Sequence, residues 1–139
     1  IMVVTKKISL QSQGHGEIID ITPEVQKHLA ETKLSEGTVT LFVTGSTAGI
    51  TTIEFEPGLL ADFKAMWERT IPKDLTYQHD EAWHDGNGHS HCRASLLGAS
   101  LVIPFSNKSL ALGTWQQIVV VDFDNKARSR QIVVQVMGE

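Results

Sequence analysis

The sequence contains one cysteine, Cys92, so no disulfide can form within the chain. It has no apolar run of about 18 residues and no leader-like opening stretch, so neither a membrane-spanning helix nor secretion is expected. Positive charge is also in short supply: 12 Lys and Arg stand against 16 Asp and Glu, giving a formal charge of −4. Bulk attraction to nucleic acid or to an anionic membrane is therefore not expected. Low-complexity tracts are missing too, and 41% of residues are hydrophobic. Together these features predict a cytoplasmic globular protein in a single domain over residues 1–139, large enough to bury its own core.

What the sequence does have is a concentration of imidazoles. Three of the six histidines, His84, His89 and His91, lie within the run His84-Asp85-Gly86-Asn87-Gly88-His89-Ser90-His91-Cys92. Read as extended chain, His89 and His91 project to one side, and the glycine-containing turn before them can fold His84 back. Three neutral nitrogens with an open fourth position suit a catalytic zinc, or another divalent transition metal. The alternative is three loop histidines hydrogen-bonded to backbone. Cys92 follows His91 directly, so the same alternation turns it to the core as a small hydrophobe rather than a nucleophile.

Elsewhere the pattern is mostly that of strands. Val3–Leu10, Glu17–Ile21, Thr38–Thr44, Ile50–Phe55, Ala94–Phe105, Leu110–Leu112, Trp115–Phe123 and Gln131–Met137 have strand composition, the last two forming a hairpin with a charged tip. A helix is predicted from Thr22-Pro23-Glu24, capped by Thr22 and left at Gly37. A second runs from Pro57 to Thr70, with apolar residues at Leu59, Leu60, Phe63, Met66 and Trp67, and is stopped by Pro72. Residues 72–90 read as a long loop. The fold class expected is α+β, a mainly antiparallel, sandwich-like sheet with two helices.

Several segments carry further candidate chemistry. The turn Thr44-Gly45-Ser46-Thr47-Ala48-Gly49 offers hydroxyls and backbone N–H groups that can cradle a phosphate, with Ser46 and Thr47 as the binding residues; a plain tight turn fits equally. Glu54 and Glu56, two apart, would share a strand face and could supply a carboxylate to a metal or a proton transfer, or be solvated charges. Lys126, Arg128 and Arg130 alternate, so they present one basic face, either solvated or set for an anion or partner. Gln116 stands at a strand entrance, where an uncharged polar group requires a partner.

The runs Gly88-His89-Ser90-His91, Ala94-Ser95-Leu96-Leu97-Gly98, Gly113-Thr114-Trp115-Gln116 and Met137-Gly138-Glu139 resemble the YjbQ-type family, uncharacterised protein family 0047, from about Glu17 to the end. The resemblance implies a compact α+β protein, a homotrimer, with a metal site at its histidines and activity of the secondary thiamine-phosphate synthase type. It matches His91, Trp115 and Gln116 to family positions. Thr44-Gly45-Ser46 departs from the family's His-Thr-Ser-type turn and lacks one candidate ligand. The expectation is a small-molecule enzyme with His91, Gln116 and Glu54 as catalytic groups, a phosphorylated substrate and a divalent metal, zinc or, for the synthase reaction, magnesium. The alternatives are a non-catalytic metal or small-ligand binding protein and a metal-dependent hydrolase.

Overall fold

Val39, Leu41 and Val43 alternate with Thr38, Thr40 and Phe42, and the structure buries the first set completely while Phe42 stays exposed. A computed structural model describes residues 1–139. Its elements in chain order are β1 (Met2–Ser12), β2 (Glu17–Asp20), α1 (Thr22–Thr32), β3 (Gly37–Thr44), β4 (Ala48–Ile53), α2 (Pro57–Thr70), α3 (Gln78–Trp83) and α4 (Gly88–Leu97). They are followed by β5 (Ser100–Ser106), β6 (Ser109–Leu110), β7 (Gln117–Asp122) and β8 (Arg128–Gly138). The strands form two antiparallel sheets, one ordered β1-β8-β3-β5-β6 and the other β2-β7-β4. The fold is thus α+β and mainly antiparallel, with four helices where two were expected.

The smaller sheet explains the longest apolar run. Ile118 and Val120 of β7 join the main core with Val39, Leu41, Ile132 and Val134 of the larger sheet and Val25 and Leu29 of α1. Val119 and Val121 point the other way, into a second core with Trp67 of α2, Ala94 of α4 and Phe123. A strand buried on both faces loses its polar alternation, which is why Ile118–Val121 reads as continuous hydrophobe. Trp67 packs edge-on to Phe123, ring centres 4.9 Å apart, and so anchors α2 to this layer.

Four expectations are corrected here. The chain from 115 to 137 is not a hairpin: β7 and β8 belong to different sheets, and residues 123–127 carry the chain from one to the other. Residues 78–83 and 88–97 are helices, so the predicted strand starting at Ala94 begins only at Ser100. Thr22 does not cap α1; its hydroxyl accepts a hydrogen bond from the Ile118 N–H at 2.8 Å, tying the helix start to β7. That helix leaves through Lys33 in the left-handed conformation, and Gly37 instead opens β3, where a Cβ would collide with the backbone of Met137 and Gly138. Helix α2 has the predicted bounds, and Glu56 caps it by accepting from the Gly58 and Leu59 N–H groups. No helix is long and apolar enough to cross a membrane.

Candidate functional site

Helix α4 decides the fate of the histidines. On a helix, residues two apart are turned by about 200° around the axis, so His89 and His91 face nearly opposite ways instead of together. His89 is buried, 6.3 Å from the Tyr77 ring and beside Ser90. Its pKa is lowered, first by burial and then by the positive charges of Arg93 and Lys73. His91 is half-buried and packs edge-on to His79, ring centres 4.4 Å apart. His84 ends α3, exposed and in the left-handed conformation. Cys92 is exposed, contrary to the strand-based expectation, because the helix turns it outward.

His91 faces a cleft of about 540 Å³ whose opposite wall is the Gly45-Ser46-Thr47 turn after β3. His79 stands beside it, its Nε2 3.1 Å from Asn87 Oδ1 and 3.5 Å from Asp85 Oδ1. A second recess, lined by Ala48, Ala94, Gly98 and Ala99, adjoins the first along Gly45, Ser46 and His91. The polar cleft and the recess of small residues therefore share His91 as their divide.

Arginines from β8 form the base of the cleft. Arg130 is buried and meets Asp122 as a fork, Nε to Oδ2 at 2.7 Å and Nη2 to Oδ1 at 2.8 Å. Its Nη2 also donates to the Thr47 hydroxyl at 2.6 Å, and that hydroxyl donates to Asp124 Oδ2 at 2.9 Å. Arg128, on the same strand face, uses Nε on Asp124 Oδ2 at 2.9 Å. Burial opposes ionisation of Asp124, but hydrogen bonds from Thr47, the Asn125 N–H, Asn87 and Arg128 together hold its pKa below the ordinary value. Asp122 and Asp124 are thus the buried ion-pair partners of the arginines.

The sequence-predicted residues divide accordingly. Ser46, Thr47 and His91 come together at the cleft. Thr47 is spent on Asp124 and Arg130, whereas Ser46 is exposed and its hydroxyl has no partner in the chain. Gln116 and Glu54 lie elsewhere, at the far end of β4, about 20 Å of extended strand from Ala48. The Gln116 amide finds its partners locally, accepting from the Gly113 N–H and donating to Thr52. His84, His89 and His91 do not converge, and no group of three His, Cys, Asp or Glu side chains is placed to hold one ion. His79, Asp85, Asn87, Asp122 and Asp124 were missed as site residues. The matching two-residue spacings Asp122/Asp124 and Arg128/Arg130 were the signal for the ionic pairs.

The scaffold is α+β and mainly antiparallel, with a polar cleft lined by Arg128 and Arg130, and comparison gives its lineage. The sequence model described as UPF0047 protein YjbQ-like matches residues 6–139, so the chain belongs to the YjbQ/UPF0047 family. A UPF0047 protein of Methanothermobacter thermautotrophicus is 39% identical over 137 residues, covering 99% of this chain and 94% of that protein. YugU of Bacillus subtilis, also a UPF0047 protein, is 33% identical over 96% of this chain and 98% of its own length. Among solved structures, a YjbQ/UPF0047 protein of Clostridium acetobutylicum superimposes with a TM-score of 0.86 at 36% identity, covering 95% of this chain and 99% of that one. A Sulfolobus solfataricus relative gives 0.90 at 29% identity, with 99% of this chain and all of that one covered.

Proposed function

We propose that the chain is a small-molecule transferase of the secondary thiamine-phosphate synthase type, acting in the cleft between α4 and the Gly45-Ser46-Thr47 turn. The observation that carries this is the gathering of His91, Ser46 and two arginines from distant parts of the sequence onto one open polar cleft with an adjoining recess. In this reaction the C–O bond of a pyrimidine diphosphate breaks and its electron pair leaves with pyrophosphate. The thiazole nitrogen then gives its lone pair to the freed carbon and becomes the cationic ring nitrogen. No proton transfer and no covalent nucleophile are needed, which suits a cleft whose lining holds neither a paired serine and base nor a cysteine. Catalysis consists of stabilising the departing oxyanion with placed donors.

A resident zinc calls for three or four protein ligands, and the three histidines as placed do not supply them. Magnesium is held by one or two protein groups together with substrate phosphates, so it is the ion this cleft would accept, with Asp85 as the exposed carboxylate on the wall. We extend the reading to a homotrimer; Trp115, 72% exposed beside Gln116 and close to Glu54, is the kind of side chain a neighbouring copy would cover. Light scattering of the purified chain tests this.

The activity test is formation of thiamine phosphate from the pyrimidine diphosphate and thiazole phosphate by protein purified without a metal-affinity tag. His91→Ala is expected to lower turnover about a hundredfold. Absence of product from the parent protein, or equal rates for both, sinks the reading. The missing nucleophile equally suits a non-catalytic ligand-binding protein, which would bind the substrates and release them unchanged. Phosphatase activity in a broad screen would instead indicate hydrolysis.

A further inference from the structure

Each arginine of the cleft is clamped by a buried carboxylate yet keeps part of its guanidinium unused. Arg130 spends Nε and Nη2 on Asp122 and Thr47, and its Nη1 has no partner in the chain. That Nη1 lies against Gly45: a Cβ on Gly45 would stand 2.8 Å from it. Arg128 spends only Nε, on Asp124, and leaves both terminal nitrogens free on a side chain that is 40% exposed. The unpartnered Ser46 hydroxyl stands on the turn beside them. The exposed carboxylate on the wall, Asp85, is turned to His79.

We infer that the free guanidinium edges of Arg128 and Arg130, with the Ser46 hydroxyl, form the seat of a phosphoryl or diphosphoryl group, and that Gly45 keeps the seat open by withholding a side chain from Arg130 Nη1. This rests on the small-molecule reading of the same cleft and names the part of the substrate that is held. Guanidinium N–H groups fixed in advance lose little freedom when an anion arrives, and their planar fork matches phosphate oxygens. Donors from three side chains surround a tetrahedral oxyanion better than a planar carboxylate. The two buried aspartates cancel the formal charge of the arginines, so recognition rests on directed hydrogen bonds rather than on a net positive field. The adjoining recess of small residues receives the uncharged part of the molecule, with His91 at the junction.

The test is calorimetric titration of the parent, Arg128→Ala and Gly45→Ala proteins with inorganic pyrophosphate, and with succinate as a carboxylate control. The parent is expected to bind pyrophosphate, and Arg128→Ala to weaken binding about tenfold or more. Gly45→Ala should weaken it as well; because Gly45 has φ +150°, its folding is checked by circular dichroism, and Arg128→Ala decides alone if that variant is unfolded. Pyrophosphate binding that is absent in the parent, unchanged by Arg128→Ala, or matched by succinate overturns the assignment. Binding without formation of thiamine phosphate sinks the transferase reading and leaves the seat standing. Thiamine phosphate formed by an Arg128→Ala protein with undiminished pyrophosphate affinity removes the seat and keeps the transferase.

Discussion

Arg130 and Arg128 are two residues apart on one strand face, yet burial gives them different work. The Arg130 and Asp122 side chains are 7% and 0% exposed and meet as a fork, so removing one partner strands a charge in the interior. We expect Asp122→Asn to cost about 3–5 kcal/mol. Arg128→Ala, from a partly exposed pair, should cost about 0–1 kcal/mol, because Asp124 keeps Thr47, Asn87 and the Asn125 N–H. Urea denaturation of the two variants provides the comparison, and equal midpoints would remove the structural role given to Asp122. The same logic separates Thr47 from Ser46. Neighbouring hydroxyls looked equivalent in the sequence, but the buried one is committed to Asp124 and Arg130, and the exposed one has no partner in the chain.

At the scale of elements, the position of His91 depends on how closely α4 approaches β4. The Ile50 N–H donates to the Gly98 carbonyl at 3.1 Å, and a Cβ on Gly49 would come within 2.8 Å of that carbonyl and of Leu97 Cδ2. Gly49→Ala is therefore expected to push the end of α4 outward and to destabilise by about 1–3 kcal/mol, with altered near-UV dichroism if the helix moves. A variant as stable as the parent would show that α4 adjusts freely. This helix was also where sequence reasoning failed. Gly88-His89-Ser90-His91-Cys92 contains weak helix formers, and the residues it buries at helical spacing are His89, Ser90, Arg93 and Ala94 rather than large apolar ones. A hydrophobic period cannot register a face made of hydrogen-bonding groups: Ser90 donates to the Phe123 carbonyl, and Arg93 to the Ile71 carbonyl and Glu68. By contrast β3 and α2 bury ordinary hydrophobes, and their bounds were legible. The apparent hairpin of β7 and β8 failed for another reason, since strand partners separated by a short connection look adjacent although each pairs within a different sheet.

Over the whole molecule, a buried histidine and buried ion pairs make stability depend on pH, so acid should loosen the fold in two steps. His89 has a folded pKa below its ordinary value of about 6.5, mainly through burial and then through Arg93 and Lys73, which outweigh Asp80 and Glu68. Between those two values the unfolded chain binds a proton that the folded chain refuses, so stability falls as pH drops below about 6.5 and levels off below the folded pKa. Asp124 acts lower on the scale. Its folded pKa lies beneath the ordinary value of about 3.9, so the stabilisation is whole above that pH and is lost as pH falls through the folded value. Because Asp124 and Arg130 sit where the chain passes from the smaller sheet to the larger, this second loss weakens the join between them. Urea midpoints measured from pH 8 to pH 2 should therefore decline in two stages. His89→Gln should remove the upper stage and spare the lower, whatever its effect on stability at pH 8, since glutamine does not titrate. An upper stage that persists in His89→Gln would assign the proton uptake to another histidine and detach His89 from the acid response.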